Sequence, residues 1–186
     1  MGNQILETYR LLPHPEMPPN KVKGVSVEII YSQRDGDLLL TYIVSGAEHL
    51  RLPEWASPDR CDRLWETTCF ELFVRQDEFE PYFEFNFSPS TQWSAYRFDR
   101  YREGMRDFPL VIDPQIDRGV DDAGYVIEVD IDLAPFPDTS LRLGLSAVIE
   151  EKDGTKSYWA LAHPPGRPDF HHKDCFALEL APPGVS

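Results

Sequence analysis

Cys69-Phe70-Glu71-Leu72-Phe73-Val74-Arg75, followed after a polar break by Tyr82-Phe83-Glu84-Phe85-Asn86-Phe87, carries the strongest fold signal in the chain. The even positions Phe70, Leu72 and Val74 are apolar in the first run, and the odd positions Phe83, Phe85 and Phe87 in the second. Apolar residues at every second position mark strands with one buried face. Residues opposite each other on antiparallel neighbours share a face, so burying both sets together requires paired numbers with an odd sum. Pairing Arg75 with Tyr82 around a six-residue loop meets that condition and sets Phe73 opposite Glu84 and Glu71 opposite Asn86. The other face then gathers Cys69, Glu71, Phe73, Tyr82, Glu84, Asn86 and Ser88. An ordinary solvated face is one reading of it. Two acids near each other across strands are unfavourable, however, unless a ligand, a cation or water lies between them. The pattern therefore points to a platform for a polar ligand.

The same alternation recurs on both sides of this hairpin. Val25, Val27 and Ile29 precede the turn Arg34-Asp35-Gly36-Asp37, and Leu38, Leu40, Tyr42 and Val44 follow it. An Asp-Gly pair between two such runs favours a tight hairpin. Further strands are predicted at 93–98, 110–116, 125–131, 141–149, 157–162 and 175–180. With about ten strands and no amphipathic helix longer than two turns, the predicted fold is all-β. It is a two-sheet antiparallel β-sandwich, jelly-roll-like, with an up-and-down barrel as the alternative. Residues 1–23 read as a proline-rich arm packed on the domain, 24–181 as a single β-sandwich domain, and 182–186 as a frayed tail.

Composition narrows the function. The chain has 186 residues, and 18 Lys plus Arg against 32 Asp plus Glu give a net charge of −14. Binding phosphates needs a basic face, so a nucleic-acid partner is not expected, and an anionic membrane surface is equally disfavoured. The 17 prolines and 12% aromatic residues suit many connections between strands rather than long helices. Cys61, Cys69 and Cys175 cannot all pair within one molecule, and 1–10 contains no cationic segment followed by an apolar run. A reducing cytoplasm is the expected compartment. The sequence leaves the oligomeric state open.

The segment Leu64-Trp65-Glu66-Thr67-Thr68-Cys69-Phe70-Glu71-Leu72-Phe73, then Tyr82-Phe83-Glu84-Phe85-Asn86-Phe87-Ser88-Pro89, resembles bacterial DOMON-like domain proteins, which are similar in turn to family 9 carbohydrate-binding modules. The resemblance continues through Trp93-Ser94-Ala95-Tyr96-Arg97-Phe98 and Tyr101-Arg102-Glu103-Gly104-Met105, and returns at Ser157-Tyr158-Trp159-Ala160-Leu161 and Pro168-Asp169-Phe170-His171-His172. It implies a concave sheet face that binds a sugar or, in some relatives, haem. Trp65 matches the ring-stacking position, Glu71 the strand carboxylate, and Glu84 and Asn86 the polar positions of the next strand. Glu84 departs from the pattern, which leaves the particular sugar unassigned. Trp93 and Arg97 complete the expected ligand contacts, Asp169, His171 and His172 an expected ligand-facing loop, and Trp159 and Phe170 are candidates for a second stacking ring.

Other constellations point elsewhere. Arg97, Arg100, Arg102 and Arg106 fall within ten residues and suit an anionic ligand group or local pairing with Asp99, Glu103 and Asp107. His163, Asp169, His171, His172 and Asp174 lack convincing zinc spacing. Asp113, Asp117, Asp121 and Asp122 leave calcium open, and Met105 with a late histidine is a weak haem pair. No cofactor is expected, and the metal content is left unassigned. Glu71 and Glu84 also fit a glycoside-processing acid pair, but non-catalytic binding of a saccharide or other small molecule is the preferred reading.

Overall fold

A computed structural model describes residues 4–136 and 139–182. The strands are β1 (Gln4–Pro13), β2 (Gly24–Ser32), β3 (Asp37–Ser45), β4 (Cys69–Gln76), β5 (Tyr82–Phe87) and β6 (Trp93–Phe98). They continue with β7 (Arg106–Asp107), β8 (Gln115–Asp121), β9 (Gly124–Asp132), β10 (Leu141–Glu150), β11 (Lys156–Ala160) and β12 (Leu178–Leu180). Among the described residues the only helices are three single 3-10 turns, and none is long and apolar enough to cross a membrane.

All twelve strands belong to one antiparallel sheet, ordered β7-β6-β5-β4-β10-β11-β1-β2-β3-β9-β8, with β12 beside the start of β10. β1 makes it continuous. Ile5 to Leu11 pair with β2, and Leu12 and Pro13 pass to β11. The sheet curls like a half-barrel, so that β3 and β9 lie over β4. The Tyr42 and Phe70 rings are 5.0 Å apart, and the Tyr42 hydroxyl donates to the Glu71 carbonyl at 2.7 Å. The all-β antiparallel expectation holds at this level, while the chain forms one curled sheet where two were expected.

Between the halves lies the main core, with Val25, Val27, Ile29 and Tyr31 of β2 facing Phe70, Leu72 and Val74 of β4 and Phe83, Phe85 and Phe87 of β5. Burying an aliphatic or phenyl side chain fully is worth about 1.5–3 kcal/mol, so these rows dominate the stability of the fold. The β2–β3 hairpin forms where expected. Gly36 takes φ 82° there, and a Cβ would meet the Ala134 backbone nitrogen at 2.7 Å.

Two sequence readings shift. Residues 4–13, read within the arm, form a strand inside the sheet. The strand expected at 110–116 begins only at Gln115, and Val111 is 93% exposed. Of the expected frayed tail, 183–186 lie outside the described residues.

β4 and β5 differ from β2 and β3 in being buried on both faces. Their second face packs Phe73, Tyr82, Phe98, Phe170 and Phe176 into a smaller cluster beneath the chain that links β11 to β12. Gly144 makes room for it. Gly144 stands opposite Phe73, and an added Cβ would lie 3.1 Å from the Cys175 carbonyl oxygen and 3.3 Å from the Phe73 Cβ.

Candidate functional site

The hairpin register read from sequence is the one observed: Arg75 pairs with Tyr82, Phe73 with Glu84 and Glu71 with Asn86. Glu71 and Glu84 are therefore diagonal neighbours on the second face. They open onto a cavity of about 390 Å³ with Phe73 and Val148 beside them. Phe98, His171, Tyr158, Pro168 and Phe170 also line it, and the half-buried Trp65 with the exposed Arg102 and Met105 mark its open side. The volume lies within the range of small-molecule sites, which combine apolar walls with a few placed polar groups.

Both residues are buried, 5% exposed or less, and each carboxyl has a neutral donor. Glu71 Oε2 accepts from the Ser146 hydroxyl at 3.1 Å, and Glu84 Oε1 from the Asn86 amide at 2.8 Å. Burial, and after it the neighbouring Glu84 charge, pushes the Glu71 carboxyl well above the usual carboxylate range. Burial raises Glu84 to about 7, against the lowering effects of Asn86 and Arg102. Asn86 is itself fully buried, with the Cys69 thiol 3.7 Å from its Oδ1.

His171 Nε2 stands 3.6 Å from Glu84 Oε2, and its Nδ1 is 2.8 Å from the Tyr82 hydroxyl. That hydroxyl accepts the Arg102 backbone N–H at 3.1 Å, leaving its own proton for Nδ1. The tautomer protonated at Nε2 satisfies these contacts and points a donor at Glu84. Burial first, and the Arg102 charge second, lower His171 to about 4, so the ring is neutral at pH 7.

The loop after β6 is tied to the loop before β12 beside the cavity. Arg102, in left-handed conformation at φ 55°, donates to Asp169 Oδ1 at 2.6 and 3.2 Å, and the Tyr101 hydroxyl donates to Oδ2 at 2.5 Å. The Cys175 thiol lies 3.2 Å from the Ala162 carbonyl and 3.3 Å from that of Asp169, drawing the two ends of the late loop together.

Of the residues expected from sequence, Trp65, Glu71, Glu84 and His171 line the cavity, Asn86 supports it from beneath, and Asp169 holds its rim. Trp65 sits on the 3-10 turn Leu64–Glu66, half-buried, with its ring edge-on to Tyr96 at 6.0 Å. His172 turns to a second hollow, lined by Arg75 and Lys173.

Trp93 and Arg97 are corrected. Trp93 pairs with Phe87 and Arg97 with Phe83, so both project from the core side of the sheet, and Trp93 lies in the core beneath the Arg60 guanidinium at 4.8 Å. Trp159 is also a core residue, donating to Ser157 Oγ at 2.9 Å, whereas Phe170 does line the cavity. Sequence reading missed Arg102 and Tyr158 as cavity residues. For Tyr158 a signal existed, since it neighbours a core tryptophan and must face the other way.

Arg100 and Arg106 pair locally with Glu103 and Asp99. Among the described residues, no three His, Cys, Asp or Glu side chains converge as a metal site requires. Met105 and His171 share the cavity, but both His171 nitrogens already face protein groups, so the pair does not fit axial haem ligation.

No protein-family model matches the sequence, and no curated protein matches it. Among solved structures the chain is similar to a protein from Bacteroides uniformis inferred to bind carbohydrate, at TM-score 0.67 and 16% identity over 91% of this chain and 84% of that one. It is also similar to a family 9 carbohydrate-binding module from Caldicellulosiruptor kristjanssonii in complex with cellotriose, at TM-score 0.58 and 12% identity over 97% and 84%. A structure of a family 9 module from the same organism in complex with glucose gives TM-score 0.51 and 13% identity over 90% and 80%. The fold is that of the family 9 carbohydrate-binding modules. At these identities the likeness is one of backbone architecture, and the ligand must be argued from the cavity.

Proposed function

We propose that the protein binds a carbohydrate or sugar-like small molecule, without transforming it, in the cavity over β4 and β5. The observation that carries this reading is the placement of Glu71 and Glu84, both buried and both opening onto an aromatic-walled hollow with Trp65 at its mouth. Sugar rings present C–H faces to aromatics and hydroxyls to carboxyl and amide groups, and this lining offers both. The fold shared with family 9 modules supports the same class of ligand. In this reading Trp65 stacks on the ring, Glu71 and Glu84 take its hydroxyls, His171 lines the wall beside them, and the two curled halves act as the layers of a jelly-roll-like sandwich. The free thiols of Cys61, Cys69 and Cys175 suit a cytoplasmic site of action.

A glycan array followed by calorimetry on wild type and Trp65→Ala tests the proposal. Saccharide binding that weakens at least several-fold in Trp65→Ala supports it, and no binding by any saccharide at millimolar concentration removes it.

One observation favours a second reading. Two adjacent buried carboxyls, one raised to about 7, resemble an acid–base pair for glycoside cleavage. Turnover of chromogenic glycosides that vanishes in Glu71→Gln would favour it, and inactivity across a broad panel excludes it.

A further inference from the structure

The two carboxyls in the cavity have no cationic ion-pair partner among the described residues. Arg102 is paired with Asp169, and its charge reaches Glu84 only as the lesser of two lowering effects. His171 is neutral at pH 7. Glu71 and Glu84 remain, each held by a neutral donor, and among the described residues no lysine or arginine pairs with either. Two buried carboxylates this close cannot both ionise cheaply unless a positive charge lies between them. The walls favour the same charge, because aromatic faces attract cations and Trp65, Phe73, Phe98, Tyr158 and Phe170 all border the space. A chain of net charge −14 also concentrates cations at such a hollow.

We propose that the ligand is a sugar bearing a free, protonated primary amine, and that this ammonium sits between Glu71 and Glu84 while the ring lies against the aromatic wall. The inference rests on the carbohydrate reading and specifies its ligand class. The ammonium donates hydrogen bonds to both carboxylates and replaces the protons they hold at neutral pH, which leave to solvent. Acylating the amine removes both the charge and two donors, so an N-acetyl sugar loses the advantage. Met105 and Arg102, at the open side, leave the rest of the ring room to reach the mouth.

Calorimetry on the full chain at about pH 7 tests this with glucosamine, N-acetylglucosamine, glucose and cyclohexylamine. Glucosamine is expected to bind roughly ten- to a hundred-fold tighter than glucose or N-acetylglucosamine, as charge-assisted hydrogen bonds allow. Its heat should vary with buffer ionisation enthalpy, which reports the released protons. Glu84→Gln keeps an acceptor for Asn86 and should abolish the preference, and Glu71→Gln replaces it if that variant does not fold. Equal binding of glucosamine and glucose overturns the amine and leaves the carbohydrate reading standing. Cyclohexylamine matching glucosamine while glucose stays silent upholds the amine site and overturns the sugar, and with it the proposal as stated. Silence from all four overturns both, and a preference that survives in Glu84→Gln overturns the assigned seat.

Discussion

The Tyr82 hydroxyl lies 2.8 Å from His171 Nδ1 and accepts the Arg102 backbone N–H at 3.1 Å. One oxygen on β5 thus fastens both loops that build the cavity, and the Tyr82 ring is fixed by stacking on Phe98 at 4.8 Å. Tyr82→Phe keeps the stack and leaves the amide and the imidazole without their partner. The expected cost is about 1–2 kcal/mol, with faster amide exchange at Arg102 and His171. Hydrogen exchange read by mass spectrometry checks this. Unchanged protection in both loops would contradict it.

Glu84 and His171 give stability opposite slopes with pH. Glu84 is raised from 4.5 to about 7, so the folded state holds its proton more tightly, and its contribution is lost as pH rises through about 7. His171 is lowered from 6.5 to about 4, so its contribution is lost as pH falls through that range. The slopes offset between about pH 4.5 and 6.5, and above that window the carboxyl alone acts, with Glu71 in the same direction. Wild type should therefore lose about 1 kcal/mol relative to Glu84→Gln between about pH 6.5 and 8. Urea melts across that range measure the difference, and parallel profiles refute it.

Gly144→Ala places a Cβ 3.1 Å from the Cys175 carbonyl, which is backbone and cannot rotate aside. The backbone near Cys175 must give by a few tenths of an ångström, with an expected cost of about 1–3 kcal/mol and weaker saccharide binding. Denaturant titration with ligand calorimetry tests both parts. Wild-type stability in the variant would show that the close approach is unimportant.

The Arg102–Asp169 pair separates stability from binding. The arginine side chain is 51% exposed, and pairs of this kind contribute at most about 1 kcal/mol. Asp169→Asn keeps one oxygen to accept from Arg102 and turns its NH2 toward the Tyr101 hydroxyl, which can accept from it, but leaves the arginine's positive charge uncompensated. Thermal stability should change little while affinity for a cationic sugar falls several-fold. Collapse of the fold with affinity intact would reverse the assignment.

The β4–β5 register was legible because parity and loop length act together: the apolar rows share a face only when paired numbers have an odd sum, and a six-residue loop from Arg75 to Tyr82 then sets Glu71 opposite Asn86. Parity also condemns Trp93 and Arg97, whose odd positions place them with Phe87 and Phe83 across β6, on the core face. β1 was illegible because Leu6, Tyr9, Leu11 and Leu12 put apolar groups on both faces, and Leu6 and Leu12 are in fact exposed. β8 was misplaced for the opposite reason. It is an edge strand of largely polar residues, while the apolar Leu110-Val111-Ile112 before it lies outside any strand. Arg102 and Asp169 are 67 residues apart, and nothing local announces that they meet.

Because β1 gives its first residues to β2 and its last to β11, it works as a clasp. Cutting the chain back as far as Tyr9 would strip hydrogen-bonding partners from β2 and then leave β11 with an open flank if Leu12 and Pro13 came away. Bare strand flanks invite pairing between molecules, so a shortened form is a candidate for self-association, and the beginning of the chain guards solubility as well as shape.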